Sequence, residues 1–361
     1  MARRQAGRMV TALAAPADPL TALRAEFGTA AGYLAACTAG LPMRATRRAV
    51  TADLEGHPDI AGYSRAVEAS RASFASLVGV DAASVAIGSQ TSVQLSLLIA
   101  ALPAEATVLV PEHEFSSLVL PFVHAGRGIR IRTAPLSRLA DAISEEIDLV
   151  AFSLVQSACG HVADLDVICD AAGAVGARVV CDATQAVGWM PVDAARVDAL
   201  LCHAYKWLCC PRGVAFMALS ADYARSLTPV QAGWYAGEDP WSSCYGADAE
   251  LAASARRFDV SPAWQAFVGA EPALRAFARV GMHQVHAHVT GLAASFRSQT
   301  GLDDPETPTA IVTWVDPDGA DLARLQEAGI TASGRNGRAR VAFHVFNDDD
   351  DVERAVAALG R

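Results

Sequence analysis

Arg178-Val179-Val180-Cys181-Asp182-Ala183-Thr184-Gln185-Ala186-Val187-Gly188, continued after a second apolar run by His203-Ala204-Tyr205-Lys206-Trp207-Leu208, is the stretch around which this chain is organised. The runs Ala177–Cys181 and Val197–Cys202 have the length and the β-branching of buried strands. Each is followed by a residue a core strand would not choose: Asp182 after the first, and Lys206 shortly after the second. Open α/β sheets bind ligands outside the carboxyl ends of their strands, so an acid and an amine placed there mark a site rather than a core. A salt bridge plus a loop lysine is the plain alternative, and the whole run with its flanks argues against it.

The run Asp182-Ala183-Thr184-Gln185-Ala186-Val187-Gly188, with a lysine 24 residues beyond Asp182, resembles the cofactor motif of the class V aminotransferase family of fold type I pyridoxal-phosphate enzymes. The resemblance implies that Lys206 forms a Schiff base with pyridoxal phosphate, that Asp182 pairs with the pyridine nitrogen, and that Gln185 reaches the ring hydroxyl oxygen. The chemistry asks for those residue types. A lysine amine condenses with an aldehyde once its surroundings lower its pKa. A buried carboxylate keeps the pyridine nitrogen protonated, so the ring can accept electrons from the substrate's α-carbon. The implied fold is α/β, with a large domain built on a mainly parallel seven-stranded sheet between helices and a small α+β C-terminal domain. The expected division is an N-terminal arm over 1–35 packing on the small domain, a large cofactor-binding domain over 36–260, and the small domain over 261–361.

Bulk properties agree with such an enzyme. The 361 residues can bury a large core, and 52% hydrophobic content suits an Ala- and Val-rich α/β protein. No uninterrupted apolar run approaches the length of a membrane span. A net charge of −10 argues against a nucleic-acid partner, which would want a basic face. Met1 to Pro16 carries early arginines and a short apolar patch, a faint likeness to an export signal that Thr11 interrupts. The eight cysteines (37, 159, 169, 181, 202, 209, 210 and 244) include no CxxC pair and read as buried thiols of a reducing cytoplasm. His283, His286 and His288 do not share one helical face, so a solvated helix is expected there and no metal site.

Along the chain, strand and helix signals alternate, the mark of a parallel sheet with crossover helices. Helices are expected over Pro19–Phe27, Arg44–Leu54, Ala61–Val78, Val93–Ala101, Leu139–Glu146 and Asp166–Gly173, with strands at Gly32–Leu34, Ser84–Ile87, Thr107–Val110, Ile129–Ala134 and Leu149–Leu154. In the C-terminal part, Pro272–Phe296 reads as largely helical, Ala310–Val315 and Ala339–Val345 as strands, and Leu322–Glu327 and Val352–Leu359 as helices. Gly88-Ser89-Gln90-Thr91-Ser92 joins a strand to a helix start, where free N–H groups and the helix dipole attract anions. By resemblance this turn holds the cofactor phosphate through Thr91 and Ser92. The segment Glu112-His113-Glu114-Phe115 is where the family stacks a ring on the pyridine face; register from Pro121-Phe122 favours Phe115, with His113 second. Ser157, at the end of the Leu149–Leu154 strand, is a candidate near the ring hydroxyl.

The family usually has Ser or Thr where His203 stands and His where Tyr205 stands, both touching phosphate; His203 and Tyr205 can still donate hydrogen bonds. Arg257-Phe258-Asp259-Val260-Ser261-Pro262 resembles the segment that lends a donor to the phosphate of the neighbouring subunit in a homodimer, which makes Ser261 a candidate. Trp264 is a candidate for the pocket lining, as is His57 in the Gly56-His57-Pro58 turn. Arg340, within Arg340–Asn347, resembles the family's clamp for the substrate carboxylate, with Arg338 the alternative. The acidic run Asp348–Asp351 reads as a capped helix start.

The expected activity is therefore that of a pyridoxal-phosphate enzyme acting at the α-carbon of an amino acid, with aminotransferase as the generic label. A β-eliminating C–S lyase, an epimerase or a decarboxylase is the alternative. A sulfur-relay desulfurase is disfavoured, because Thr331–Ala339 contains no cysteine and the last cysteine is Cys244. A cofactor-binding regulator is the non-enzyme alternative; thirty N-terminal residues are few for the helix-turn-helix module such a protein carries.

Overall fold

The structure is a computed structural model that describes residues 18–28 and 30–361; the Met1–Pro16 patch lies outside the described residues. Seven short, mostly apolar runs form one sheet. They are β1 (Val85–Gly88), β2 (Thr107–Pro111), β3 (Arg130–Ala134), β4 (Leu149–Ser153), β5 (Arg178–Asp182), β6 (Ala199–His203) and β7 (Ala215–Leu219). Their order is β1-β7-β6-β5-β4-β2-β3, and only β7 runs against its neighbours. Side chains of the central strands alternate between two cores, Val179 and Cys181 on one face and Val180 on the other, as a sheet covered on both sides requires. Edge strand β3 instead exposes Arg130 and Arg132, which discourages further pairing.

Strands β5 and β6 each run one residue farther than expected and take in the functional residue: Asp182 pairs with Ser153 on β4, and His203 with Ala215 on β7. Two expected helices differ. Leu139–Glu146 is replaced by 3-10 turns at Leu136–Arg138 and Ala140–Ala142, since so short a segment gains too few i→i−4 bonds to offset nucleation. Pro272–Phe296 is two helices, Trp264–Ala278 and Met282–Thr300, separated at Val280-Gly281. The first packs against the helices Arg44–Glu55 and Ile60–Leu77, where Thr46 Oγ1 donates to the Gly269 carbonyl at 2.9 Å. A Cβ on Gly269 would stand 2.7 Å from Pro211 and Val50 atoms, which is why that approach needs glycine.

A second sheet, β8 (Ile311–Val315), β9 (Ser333–Arg335) and β10 (Arg338–Ala342), is antiparallel in the order β8-β10-β9. Leu292, Phe296, Trp314, Leu325, Val341 and Val352 form its own core. Leu34 joins that core, and the expected Gly32–Leu34 strand is reduced to isolated bridges from Tyr33 to Thr331 and from Ala35 to Ala342. Asp348 caps the last helix, Asp349–Leu359, through the Asp351 N–H at 3.2 Å, while buried Asp351 accepts from the Gly32 N–H at 2.7 Å. The histidine-bearing helix is less solvated than expected: His286 stacks on Trp189, and His288 Nε2 lies 3.0 Å from the Asn347 carbonyl. All eight cysteines are free thiols, and no metal-ligating cluster and no helix long and apolar enough to cross a membrane occurs among the described residues.

Candidate active site

The carboxyl ends of β4, β5 and β6 open into a cavity of 190 Å³ lined by Asp182, Lys206, Gln185, Ser157, Phe115 and Arg212, among others. Glycines set the loop that carries Lys206. Gly40 donates its N–H to the Tyr205 carbonyl at 2.9 Å, and a Cβ there would fall 2.0 Å from the Lys206 carbonyl oxygen. Gly188 has φ +114° and lies against Trp207, whose carbonyl carbon a Cβ would meet at 2.7 Å. Two segments distant in sequence thus close on the lysine loop because neither carries a side chain at the contact.

Lys206 is 6% exposed and Asp182 5%. Burial lowers the Lys206 pKa, with Arg340 adding to the effect and Asp182 opposing it. Burial raises the Asp182 pKa, opposed by its hydrogen bonds from Thr184, whose N–H donates at 2.8 Å, and by Lys206. Gln185 is fixed at both ends: its Nε2 donates to the Cys37 carbonyl at 2.9 Å and Ser157 Oγ at 3.1 Å, and its Oε1 accepts from Trp207 Nε1 at 2.8 Å. Arg340, 1% exposed on β10, donates to Ser333 Oγ at 3.0 Å, to Thr38 Oγ1 at 2.9 Å and to the Ser157 carbonyl. It has no carboxylate partner among the described residues, so a full buried charge is balanced by neutral oxygens alone.

The far wall is built from Gln90, Thr91, Ser92, His203, Tyr205 and Arg212. The helix Thr91–Ala100 begins two residues earlier than expected, and its cap Gln90 makes no side-chain bond to the first turn, so the first N–H groups remain available. Thr184 Oγ1 lies 3.5 Å from Thr91 Oγ1 and accepts from the His203 N–H at 3.0 Å, tying this helix start to β6. Burial, reinforced by Arg212 and Lys206, brings the His203 pKa down to about 4, and its Nε2 is buried without a partner. The Phe115 ring centroid is 5.3 Å from Lys206 Nζ.

Of the residues singled out by sequence, the fold brings Lys206, Asp182, Gln185, Thr91, Ser92, Phe115, His203, Tyr205 and Ser157 to one cavity, and seats Arg340 against Ser157 at its edge. Ser261, Trp264 and His57 do not line it. Ser261 and His57 are exposed, and Trp264 stacks on Tyr63 at 4.9 Å. His113 is exposed with φ +59°, and Arg338 is occupied by Thr313. Sequence reading missed Arg212 and Ser153 in the wall, and missed Thr184 as the tie between β5, β6 and the Thr91 helix. The position of Thr184 inside the Asp182–Gly188 run was the only signal for any of them.

A carboxylate closing the central strand, a buried lysine after the next one and a helix start with free N–H groups, on a mostly parallel seven-stranded sheet, define a fold type I pyridoxal-phosphate enzyme. Residues 52–309 match the family described as aminotransferase class-V, and the chain belongs to it. It is 25% identical over 308 residues to the uncharacterized aminotransferase YcbU of Bacillus subtilis, covering 80% of this chain and 82% of that one. It is 26% identical over 335 residues to isopenicillin N epimerase of Streptomyces clavuligerus, with the same 80% and 82% covered. The fold is similar to that of the cystine C–S lyase C-DES solved with its product cysteine persulfide, at TM-score 0.82 and 19% identity over 92% of this chain and 97% of that one. The family uses pyridoxal phosphate and its members act on amino-acid substrates. The residues present suit such a group, since the cavity offers a desolvated amine, a buried acid, an aromatic face, free N–H donors and an imidazole nitrogen lacking a partner.

Proposed function

We propose that this enzyme acts at the α-carbon of a free amino acid, with transamination as its reaction. The observation that carries this reading is the buried, acid-free Arg340 beside a cavity that holds a desolvated lysine and a carboxylate. A guanidinium enclosed among hydroxyls and one carbonyl is short of a counter-charge, and an α-carboxylate supplies it with matching two-pronged geometry.

When bound, pyridoxal phosphate supplies an aldehyde that captures amines and a ring that draws electron density from the α-carbon. Lys206, which burial favours as the neutral amine, can take the α-proton and return it. Asp182 would hold the ring nitrogen protonated, Gln185 and Ser157 would hold the ring hydroxyl, and Phe115 would stack on the ring, contributing about 1 kcal/mol beyond its buried area. Thr91, Ser92, His203 and Tyr205 would hold the phosphate. Ser261, turned away from this cavity, serves a second subunit's site in a homodimer, while Trp264 packs on Tyr63 of its own chain. The exposed apolar side chains Leu120, Val123, Trp241 and Tyr245 support such a partner. His57 is a surface residue with no role at the cavity of its own chain. Unpaired cysteines support a reducing, cytoplasmic setting.

Loaded protein incubated with single amino acids and amino-acid thioethers tests the reading. Keto acid without free ammonia marks transamination; ammonia with thiol marks elimination, carbon dioxide decarboxylation, and loss of optical activity alone epimerisation. Turnover of none of these compounds would overturn the α-carbon reading in favour of a regulator.

A further inference from the structure

The phosphate side of the cavity has an unusual charge arrangement. His203 closes β6 with its Nε2 buried and unpartnered, and burial, with the Arg212 guanidinium adding to it, keeps the ring neutral. Tyr205 is edge-on to His203, with ring centroids 4.4 Å apart, and carries no charge of its own to offer an anion. The Thr91 helix start supplies N–H donors and a partial dipole charge only. Arg212, in the connection between β6 and β7, lines the same wall with its guanidinium carbon 4.3 Å from the Tyr205 ring centroid. It forms no salt bridge among the described residues.

We propose that Arg212, held over the Tyr205 ring, is the cation that holds the phosphate of the cofactor in this chain, with His203 Nε2 donating beside it. The inference rests on the pyridoxal-phosphate reading of the site. Lys206 is committed to the aldehyde end, so Arg212 is the remaining full positive charge on the wall where the phosphate lies. Stacking on an aromatic face restricts a planar guanidinium in advance, so less side-chain freedom is lost when an anion is bound. Tyr205 thereby acts as a positioning residue for Arg212 as well as a donor.

The test compares pyridoxal phosphate with pyridoxal, which lacks the phosphate, in titrations of protein stripped of cofactor by dialysis against hydroxylamine. Arg212→Met is expected to weaken pyridoxal phosphate roughly ten- to hundredfold, the range for losing a charge-assisted hydrogen bond, and to leave pyridoxal within about twofold. Tyr205→Leu, which removes the stacking platform, should change the same ratio in the same direction by less. Equal weakening of both compounds, no weakening of either, or a rise confined to the KM of the amino-acid substrate overturns the assignment. If the unsubstituted protein binds neither compound, the cofactor reading itself has failed, a result distinct from an unchanged Arg212→Met variant.

Discussion

Arg71 and Asp259 meet at 2.7 Å with side chains 2% and 0% exposed, and the Val85 carbonyl, the Ile87 N–H and Glu68 complete their bonding, whereas Lys206, Asp182 and Arg340 are buried to a similar degree and have no such closure. The first pair ties the Ile60–Leu77 helix to β1 and to the segment ending at Asp259, so its charges are consumed in holding architecture. In the second set Lys206 and Asp182 line a cavity and Arg340 sits at its edge against Ser157, its charge met by neutral groups alone. Desolvating a charge is expensive in both places. Where the protein completes the bonding, the charge is structural; where it leaves the bonding open, a ligand has to complete it.

The largest effect expected from this contrast is at Lys206. Lys206→Ala should abolish the visible absorbance of the loaded protein and its covalent retention of cofactor after borohydride reduction, and lower turnover by roughly a thousandfold or more. Because it deletes a desolvated amine, the variant should keep its thermal midpoint. An unchanged spectrum, or an unfolded variant, would place Lys206 with the architectural charges instead.

Arg71→Met should do the reverse. Removing one member of a closed buried pair leaves Asp259 uncompensated and is expected to destabilise by about 3–5 kcal/mol, read as a shift of the urea midpoint. A shift below about 1 kcal/mol would show that the pair is not the closed unit its hydrogen bonds describe. Arg340→Met comes next. Loss of a buried guanidinium from its ligand should lower kcat/KM for the amino acid by about 2–5 kcal/mol, while the absorbance of the loaded protein stays as it was. Destabilisation without a change in kcat/KM would move Arg340 into the structural group.

The contrast also explains what was legible in the sequence. Asp182, Gln185 and Lys206 could be read because reaction chemistry fixes their types and strand ends fix their places. Arg340 could be read from its segment, though its freedom from any acid could not, since that depends on Thr38, Ser157 and Ser333 arriving from three separate places. Arg212 carries no signal in the sequence, since only the fold brings its guanidinium over the Tyr205 ring. Asp259 was seen as a flank of Ser261, because its partner Arg71 is 188 residues away. The helix starts eight residues before Pro272, at Trp264, where no side-chain cap announces its first turn.

His344 sharpens the comparison from a third direction, since it is a buried titratable group that is neither paired with an acid nor turned to the cavity. It is 0% exposed, stacked on Phe346 at 4.4 Å and on Trp207 at 5.6 Å, with Nε2 2.9 Å from the Trp207 carbonyl and Nδ1 without a partner. The nearer partner fixes the tautomer: the Trp207 carbonyl at 2.9 Å can only accept, while Cys209 Sγ lies farther off at 3.7 Å, so Nε2 carries the proton and donates to Trp207, and a second proton on Nδ1 would have nothing to bond. Burial accordingly brings its pKa from 6.5 down to about 4. The unfolded chain therefore binds the extra proton more readily, so stability is full above about pH 6.5 and falls as the pH drops toward 4. The loss attributable to His344 over that window is about 3 kcal/mol. His344→Gln keeps an amide donor for the Trp207 carbonyl and removes the titration, so its stability should decline with acid less steeply than the parent's. Equal slopes for the two proteins in urea titrations between pH 7 and 4 would mean that His344 is not held neutral, and that the stack joining β10 to the Lys206 loop opens to water.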